Sequence, residues 1–393
     1  MDIFNSLFVV IYCFLAIPAL VFVFQVFFAS GVIEPLGGNA QRYSRVAVLM
    51  PAHNEELVIT NTLCSIAPQL RKDDILLVVA DNCSDNTAVL ARECGAKVIE
   101  RKDENQRGKG YALNFGLQFL ENNTPPDVVI IIDADCALSP ACIDVLAQQV
   151  ETEQRPVQAL DIMVSPENKS ITQAIAEFAW LVKNHVRPLG LKRLGLPCQL
   201  MGTGMAFPWV ILRQANLAHG NMVEDMKLGI DLAVQGFSPL FCPTALVTSE
   251  FPNSSEVTNE QRKRWEHGHL STILSETPRL LKAALKQRSP SLLSMALDLS
   301  IPPLSVLGLC LIVMFIVSIV LTIFTGSLTP FILMVILIST FAAAVFSAWY
   351  GFGRKIVSLK TLCYVPFYIL RKLPLYFSFL IKRQRVWVKT ERR

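Results

Sequence analysis

Residues 7–29, LFVVIYCFLAIPALVFVFQVFFA, contain no charge and a single glutamine. About 20 such residues cross the hydrocarbon core of a bilayer as one helix. No basic region precedes the run, it is too long for a signal-peptide core, and no small-x-small site closes it. The expectation is therefore a retained helix rather than a cleaved leader. Arg42 and Arg45 follow, which puts the C-terminal side in the cytoplasm by the positive-inside rule. Two further apolar segments, 300–324 and 331–350, are joined by the uncharged TGSLTP and followed by Arg354, Lys355 and Lys360. They predict a helical hairpin with both ends in the cytoplasm. The 52% hydrophobic and 17% charged composition is thus an average over apolar ends and a middle of ordinary soluble character. The net charge of +4 is small, and Lys and Arg cluster beside the apolar ends. That pattern suits anionic lipid headgroups and predicts no nucleic-acid partner. The ten cysteines form no CxxC pair, so neither a zinc site nor a disulfide framework is expected.

Between about 45 and 255 the pattern changes. VAVLMPA (46–52), ILLVVA (75–80), AKVIE (96–100) and DVVIIID (127–133) are apolar runs bounded by polar turns, as strands buried on both faces require. Helical stretches at 56–68, 85–94 and 109–121 lie between them. The alternation predicts an open, mostly parallel α/β sheet, in which ligands bind beyond the C-terminal strand ends.

After this domain, Trp265, Leu270, Ile273, Leu274, Leu281 and Leu285 are spaced along one helix face, with Lys263, Arg264, Arg279, Lys282, Lys286 and Arg288 around them. Such a basic amphipathic stretch lies in the membrane interface. The segment 359–381 is apolar enough to span but is interrupted by Arg371 and Lys372 and broken by Pro366 and Pro374, which favours an interfacial helix pair. Five parts are expected: an N-terminal transmembrane helix (1–36), a cytosolic domain (37–260), an interfacial segment (261–295), a transmembrane hairpin (296–352), and interfacial helices with a basic tail (353–393).

Polar motifs fall at the expected strand ends. Asp133 and Asp135 form a DxD after VVIII, two carboxylates at a sheet edge of the kind that hold Mg2+ or Mn2+ on a diphosphate. Alone, such a pair often caps the next helix. PAHNE (51–55), with Pro51, Asn54 and Glu55, closes the first strand. Asp81 closes the second, where a carboxylate accepts hydrogen bonds from a ribose or base edge or caps a turn. Asp85 is expected to cap the following helix. Lys109, between Gly108 and Gly110, opens a helix whose N-terminus favours a phosphate, unless it is a solvated basic turn. Glu224 and Asp225 precede the helical MKLGIDLAVQG and supply a base for an acceptor hydroxyl. MGTGMAF, with Gly202, Thr203 and Gly204, is either a loop lining an acceptor pocket or a tight turn. In QRKRW (261–265), Arg264 can hold a phosphate and Trp265 a sugar face, or both anchor the interface.

Together PAHNE, ADNCSDNT, DAD, VED and Gln-x-x-Arg-Trp before membrane helices resemble the family 2 glycosyltransferases, in the membrane-bound branch with cellulose, hyaluronan and poly-N-acetylglucosamine synthases. The resemblance spans about 45–270 by motif. It implies a GT-A fold and an inverting hexosyltransferase using a nucleotide sugar, usually a UDP-sugar. Asp81 would contact uridine, Pro51, Asn54, Glu55 and Lys109 would line the donor site, and Asp133 and Asp135 would hold diphosphate and metal. Asp225, with Glu224 beside it, would be the base. Gly202, Thr203, Gly204, Gln261, Arg264 and Trp265 would shape the acceptor and pyrophosphate end. The implied setting is a bacterial inner membrane with the catalytic domain in the cytoplasm. Its partners would be a lipid-linked or saccharide acceptor, membrane lipids and polysaccharide-assembly proteins. Val223 stands where the branch commonly has Thr, and the membrane part is small. Both single addition in exopolysaccharide or glycolipid synthesis and processive synthesis with extrusion are compatible with the motifs, and the small membrane part favours the first. A transporter is disfavoured by three helices with few charges inside them. A membrane-tethered nucleotide sensor would leave Asp225 and QRKRW without a purpose.

Overall fold

The computed structural model describes residues 2–31, 35, 41–165, 169–218, 223–251, 255–374 and 376; the side chains of 2–5 and 255–262 are outside that description. The basic tail 382–393 lies outside the described residues. Contacts group the described residues within 1–31, 167–196 and 262–384 into one compact unit and those within 32–166 and 197–261 into another. The sequence expectation ran one domain from 37 to 260, whereas 167–196 groups with the apolar helices.

The second unit is built on an eight-stranded sheet in the order β3-β2-β1-β4-β7-β6-β8-β5. Its strands are β1 (Val46–Ala52), β2 (Ile75–Asp81), β3 (Lys97–Arg101), β4 (Val128–Ile131), β5 (Cys136–Leu138), β6 (Val157–Val164), β7 (Met205–Pro208) and β8 (Leu240–Glu250). β3, β2, β1 and β4 are mutually parallel, as the apolar runs predict. Beyond β4 the sheet turns mixed, with β7 antiparallel to β4 and β6, β8 parallel to β6, and β5 antiparallel to β8.

The helices α2 (Ile59–Ile66), α3 (Thr87–Glu93), α4 (Lys109–Asn122), α5 (Cys142–Glu153), α8 (Trp209–Leu212) and α9 (Glu224–Val234) belong to this unit. Both faces of β1 are covered. Val46, Val48 and Met50 face one core with α2 and α5, and Ala47 and Leu49 face another with α4 and α9. A strand with no solvent face has no need of polar alternation, which is why β1 reads as unbroken apolar sequence.

Arg42 does not serve as a headgroup-facing charge. Its side chain is fully buried, paired with Asp74 and, at 2.5 Å, with Asp144. A buried guanidinium needs such partners, so only Arg45 of the two remains for the orientation argument.

The other unit holds α1 (Asp2–Ala29), α6 (Ile171–Leu181), α7 (Arg187–Arg193), most of α10 (Ser255–Gln287), α11 (Pro290–Leu299), α12 (Leu304–Thr325), α13 (Thr329–Ala348), α14 (Leu359–Cys363) and α15 (Val365–Arg371). Among the described residues, three helices are long and apolar enough to cross a membrane, at Ser6–Ala29, Leu304–Thr325 and Thr329–Gly353. The segment 359–371 breaks into two short helices, α14 and α15, around Tyr364. One buried polar cluster of this unit is paired: the Arg187 guanidinium and the Gln25 amide both donate to Asp298 Oδ1 at 2.7 Å. The expected apolar face of α10 is in part the outer one. Leu274, Leu281 and Leu285 are exposed, while Glu266, His267, His269 and Thr272 are buried.

Candidate active site

The ends of β1, β2 and β4 carry the site. At β1 the chain turns through Asn54, which adopts φ +55, a left-handed conformation asparagine tolerates. The turn after β1 is tied to the loop after β2. His53 Nδ1 lies 2.6 Å from the Asp81 carbonyl, Asn54 Oδ1 accepts from the Ser84 N–H at 2.8 Å, and the Glu55 N–H donates to Thr87 Oγ1 at 2.8 Å. Asp85 accepts from the Thr87 N–H at 3.1 Å one residue ahead of the α3 N-cap, which is Asn86 and not the expected Asp85.

Asp81 is a paired carboxylate. Its Oδ1 accepts from Arg101 at 2.7 Å and from Asn82 at 3.1 Å. The parallel register of β2 and β3 sets Asp81 directly beside Arg101. Arg101 also reaches Asp103 at 3.2 Å and lies over the Tyr111 ring at 5.7 Å. Arg101 was missed by sequence reading, because a cross-strand neighbour has no sequence spacing.

The second cluster lies at the β4 end. Lys109, the first residue of α4, places Nζ 2.5 Å from Asp133 Oδ1 and donates to the Gly202 carbonyl at 2.7 Å. The two side chains keep 20% and 34% exposure, so the pair lines a crevice and is not sealed in the core. Lys109 is therefore no solvated surface turn. Gly202 and Gly204 adopt φ +98 and +65, so side chains there would be strained. A Cβ at Gly202 would stand 3.5 Å from Asp225 Oδ2, and one at Gly204 only 2.7 Å from the Ala159 Cβ. The 201–204 segment is thus a tight loop and also a wall of the crevice. Thr203 Oγ1 accepts from the Asp133 N–H at 3.1 Å.

The electrostatics follow from this crowding. Burial pushes the Asp133 carboxyl above its ordinary range; Lys109 opposes that, and Asp135 and Asp225 add to it. Burial likewise pushes Glu224 up to about 7, against the pull of Lys109 and with Asp225 and Asp133 adding to the rise. Burial would lower the Lys109 pKa, yet Asp133, Glu224 and Asp225 outweigh it and hold the ammonium charged above its ordinary value. Asp133, Asp135, Glu224 and Asp225 therefore share one field around one lysine, although the two pairs lie some 90 residues apart.

Of the remaining expected residues, Pro51, Asn54 and Glu55 sit at the β1 end and Asp81 at the β2 end. Arg264 and Trp265 belong to the helical unit, where the Trp265 ring lies 5.1 Å from that of Trp180. The Gln261 side chain is outside the described residues.

A parallel sheet that becomes mixed beyond β4, with clustered carboxylates and a lysine at the strand ends, is the GT-A fold. The chain belongs to the Glycosyltransferase like family 2, whose family model matches residues 44–268. It is similar to "Probable glycosyltransferase YdaM" of Bacillus subtilis (strain 168), 28% identical over 267 residues, 63% of this chain and 61% of that relative. The chain thus matches less than two thirds of that relative's length. A shorter stretch of 98 residues, 24% of this chain and 25% of the relative, is 35% identical to the 4,4'-diaponeurosporenoate glycosyltransferase of Staphylococcus haemolyticus (strain JCSC1435). The fold is shared with the mannosyltransferase PcManGT from Pyrobaculum calidifontis, solved in complex with GDP-Man and Mn2+. That likeness has a TM-score of 0.56 at 15% identity, over 95% of this chain and 97% of that one.

Proposed function

We propose that this chain is a membrane-anchored inverting glycosyltransferase. It would move a sugar from a nucleotide sugar, a UDP-sugar by the family resemblance, to a lipid-linked or saccharide acceptor in exopolysaccharide or glycolipid synthesis. The observation that carries the reading is the Lys109–Asp133 pair standing in one field with Asp135, Glu224 and Asp225.

A divalent metal fits the donor set. Asp133 and Asp135 offer hard oxygen ligands; burial chiefly raises the Asp133 pKa and the neighbouring Asp135 adds to it, so a cation placed between them would relieve both. Among the described residues no three His, Cys, Asp or Glu side chains form a ready-made cage. Mg2+ commonly takes one or two carboxylates and completes its shell with substrate phosphates and water. Bound there, the ion would supply charge neutralisation to the donor diphosphate.

The protein's own groups do the rest. Asp225 accepts the proton of the acceptor hydroxyl as its oxygen attacks the anomeric carbon from the side opposite the diphosphate. The bond from that carbon to the diphosphate oxygen breaks, and its electron pair leaves with the nucleoside diphosphate. Lys109, held charged, faces the developing negative charge. A single displacement of this kind inverts the anomeric centre. One positioned base contributes about 10²–10⁴-fold.

The test is incubation of the purified full chain with a panel of radiolabelled UDP-sugars and GDP-mannose, the product being sized and extracted into organic solvent. Transfer of label to an extractable acceptor supports the reading. No transfer and no donor hydrolysis from any nucleotide sugar would overturn it.

A further inference from the structure

The 201–204 loop is fastened by a residue to which no motif points. Gln158 lies in β6, whose sequence VQALDIMV alternates across the sheet. Val157 and Ala159 pack into one core, so Gln158 faces the other side, beside Met205, its β7 neighbour. There it is wholly buried. A buried primary amide is costly unless its donors and acceptor are all used, and here they are used on the loop. Gln158 Oε1 accepts from the Met201 N–H at 2.8 Å, and Nε2 donates to the Thr203 carbonyl at 2.8 Å and to the Ala159 carbonyl at 2.9 Å.

The same loop touches the reactive groups from its other side. The Gly202 carbonyl holds Lys109 Nζ at 2.7 Å, and Thr203 Oγ1 holds the Asp133 N–H at 3.1 Å. Ala159 N–H donates to the Gly204 carbonyl at 2.8 Å, which fixes the loop's exit. A Cβ added at Gly202 would stand 3.5 Å from Asp225 Oδ2, so Asp225 lies on that side of the loop. Each end of the loop is thereby anchored on β6, and its middle forms part of the crevice wall.

We infer that Gln158 is a positioning residue for sugar transfer: its buried amide clamps Met201 and Thr203 so that the Gly202 carbonyl sets Lys109 against Asp133 and opposite Asp225. The inference rests on the proposed function of the same site. Three consequences follow from chemistry alone. Removing the amide frees the loop, so Lys109 and Asp225 lose their mutual setting while the β1 and β2 ends, with Asn54 and Asp81, stay in place. Turnover then falls more than nucleotide affinity. A glutamate at this position matches the shape, accepts from Met201 in either protonation state, and donates to Thr203 only when protonated.

The experiment compares wild type, Gln158→Leu and Gln158→Glu in the full-length protein, measuring kcat and KM with the donor used by the wild type, and UDP binding in the presence of Mn2+. A misplacement of about 1 Å costs on the order of 10²-fold in rate. Gln158→Leu is expected to lose about that factor in kcat, a larger factor than it loses in UDP affinity. For Gln158→Glu, turnover relative to wild type is expected to rise as pH falls from 8 to 6, because burial keeps that carboxyl protonated into this range. Should Gln158→Leu fail to fold, the pH-dependent rescue of Gln158→Glu still decides the matter. Both variants turning over within twofold of wild type, or losing activity only in proportion to folded protein with a ratio flat in pH, would overturn the inference. A wild type that transfers no sugar would instead overturn the proposed function, and the inference with it.

Discussion

The Lys109 ammonium stands 2.5 Å from the Asp133 carboxylate and is held there by the Gly202 carbonyl. Its charge is the positive centre of a crevice walled by Asp133, Asp135, Glu224 and Asp225. Replacing it with the uncharged Lys109→Met leaves those carboxylates without their common partner. We expect kcat/KM to fall about 10²–10³-fold, the order associated with losing one preorganised charge-stabilising donor. Steady-state kinetics with a saturating acceptor checks this.

Glu224 carries a testable pH signature. Burial raises its folded pKa from 4.5 to about 7. Between those values the folded chain binds more protons than the unfolded one, so the group's contribution to stability falls as pH rises through that window. Glu224→Gln removes that dependence. The variant's thermal midpoint relative to wild type, in EDTA and without nucleotide, is expected to be higher at pH 8 than at pH 5. A difference that does not change with pH would contradict the assignment.

Metal dependence is the expected consequence of the role proposed for the Asp133–Asp135 pair. Transfer is expected to stop in excess EDTA and return on adding Mn2+ or Mg2+, and Asp135→Asn is expected to raise the metal concentration needed for half-maximal rate. Unchanged activity after exhaustive chelation would remove both aspartates from the proposed role.

Arg42 makes a stability prediction independent of catalysis. It is fully buried against Asp74 and Asp144, and Asp74 is itself only 1% exposed. Arg42→Ala strands a buried carboxylate, a change that costs about 3–5 kcal/mol. Burial would raise the Asp74 pKa, but hydrogen bonds from Arg42, Arg71 and Val46 outweigh it and hold it below 3.8. The stabilisation is therefore present above pH 3.8 and is lost as pH falls through the depressed folded value. Urea unfolding should show the wild-type advantage at pH 7 and a narrowing gap in acid.

What sequence reading captured and missed follows from the physics of each element. β1 is expected at 46–52 and found at Val46–Ala52, because a strand covered on both faces needs no polar residue and stands out as a run. The mixed half of the sheet is not legible that way. β5 has three residues, β6 carries Gln158 and Asp161 where the pattern demands apolar ones, and β8 contains Pro243. Asp81 and Asp133 are expected and found at the ends of β2 and β4, because strand ends announce themselves by turn chemistry, while Glu224 and Asp225 open α9. Arg101 and Gln158 were not legible, since one is joined to Asp81 by sheet register and the other to Thr203 by a loop crossing from 45 residues away. A polar residue inside a mostly apolar strand was the available signal for Gln158. Arg42 misled for the opposite reason: a basic residue after an apolar run suggests lipid, and only the structure reveals its buried acidic partners.

The most direct measurement is Asp225→Asn, assayed for sugar transfer and, separately, for UDP binding with Mn2+. The side chain keeps its shape and loses its basicity, so transfer should fall about 10²–10⁴-fold with nucleotide affinity unchanged. Turnover close to wild type would show that the proton leaves by another route, and the assignment of the base in this crevice would be wrong.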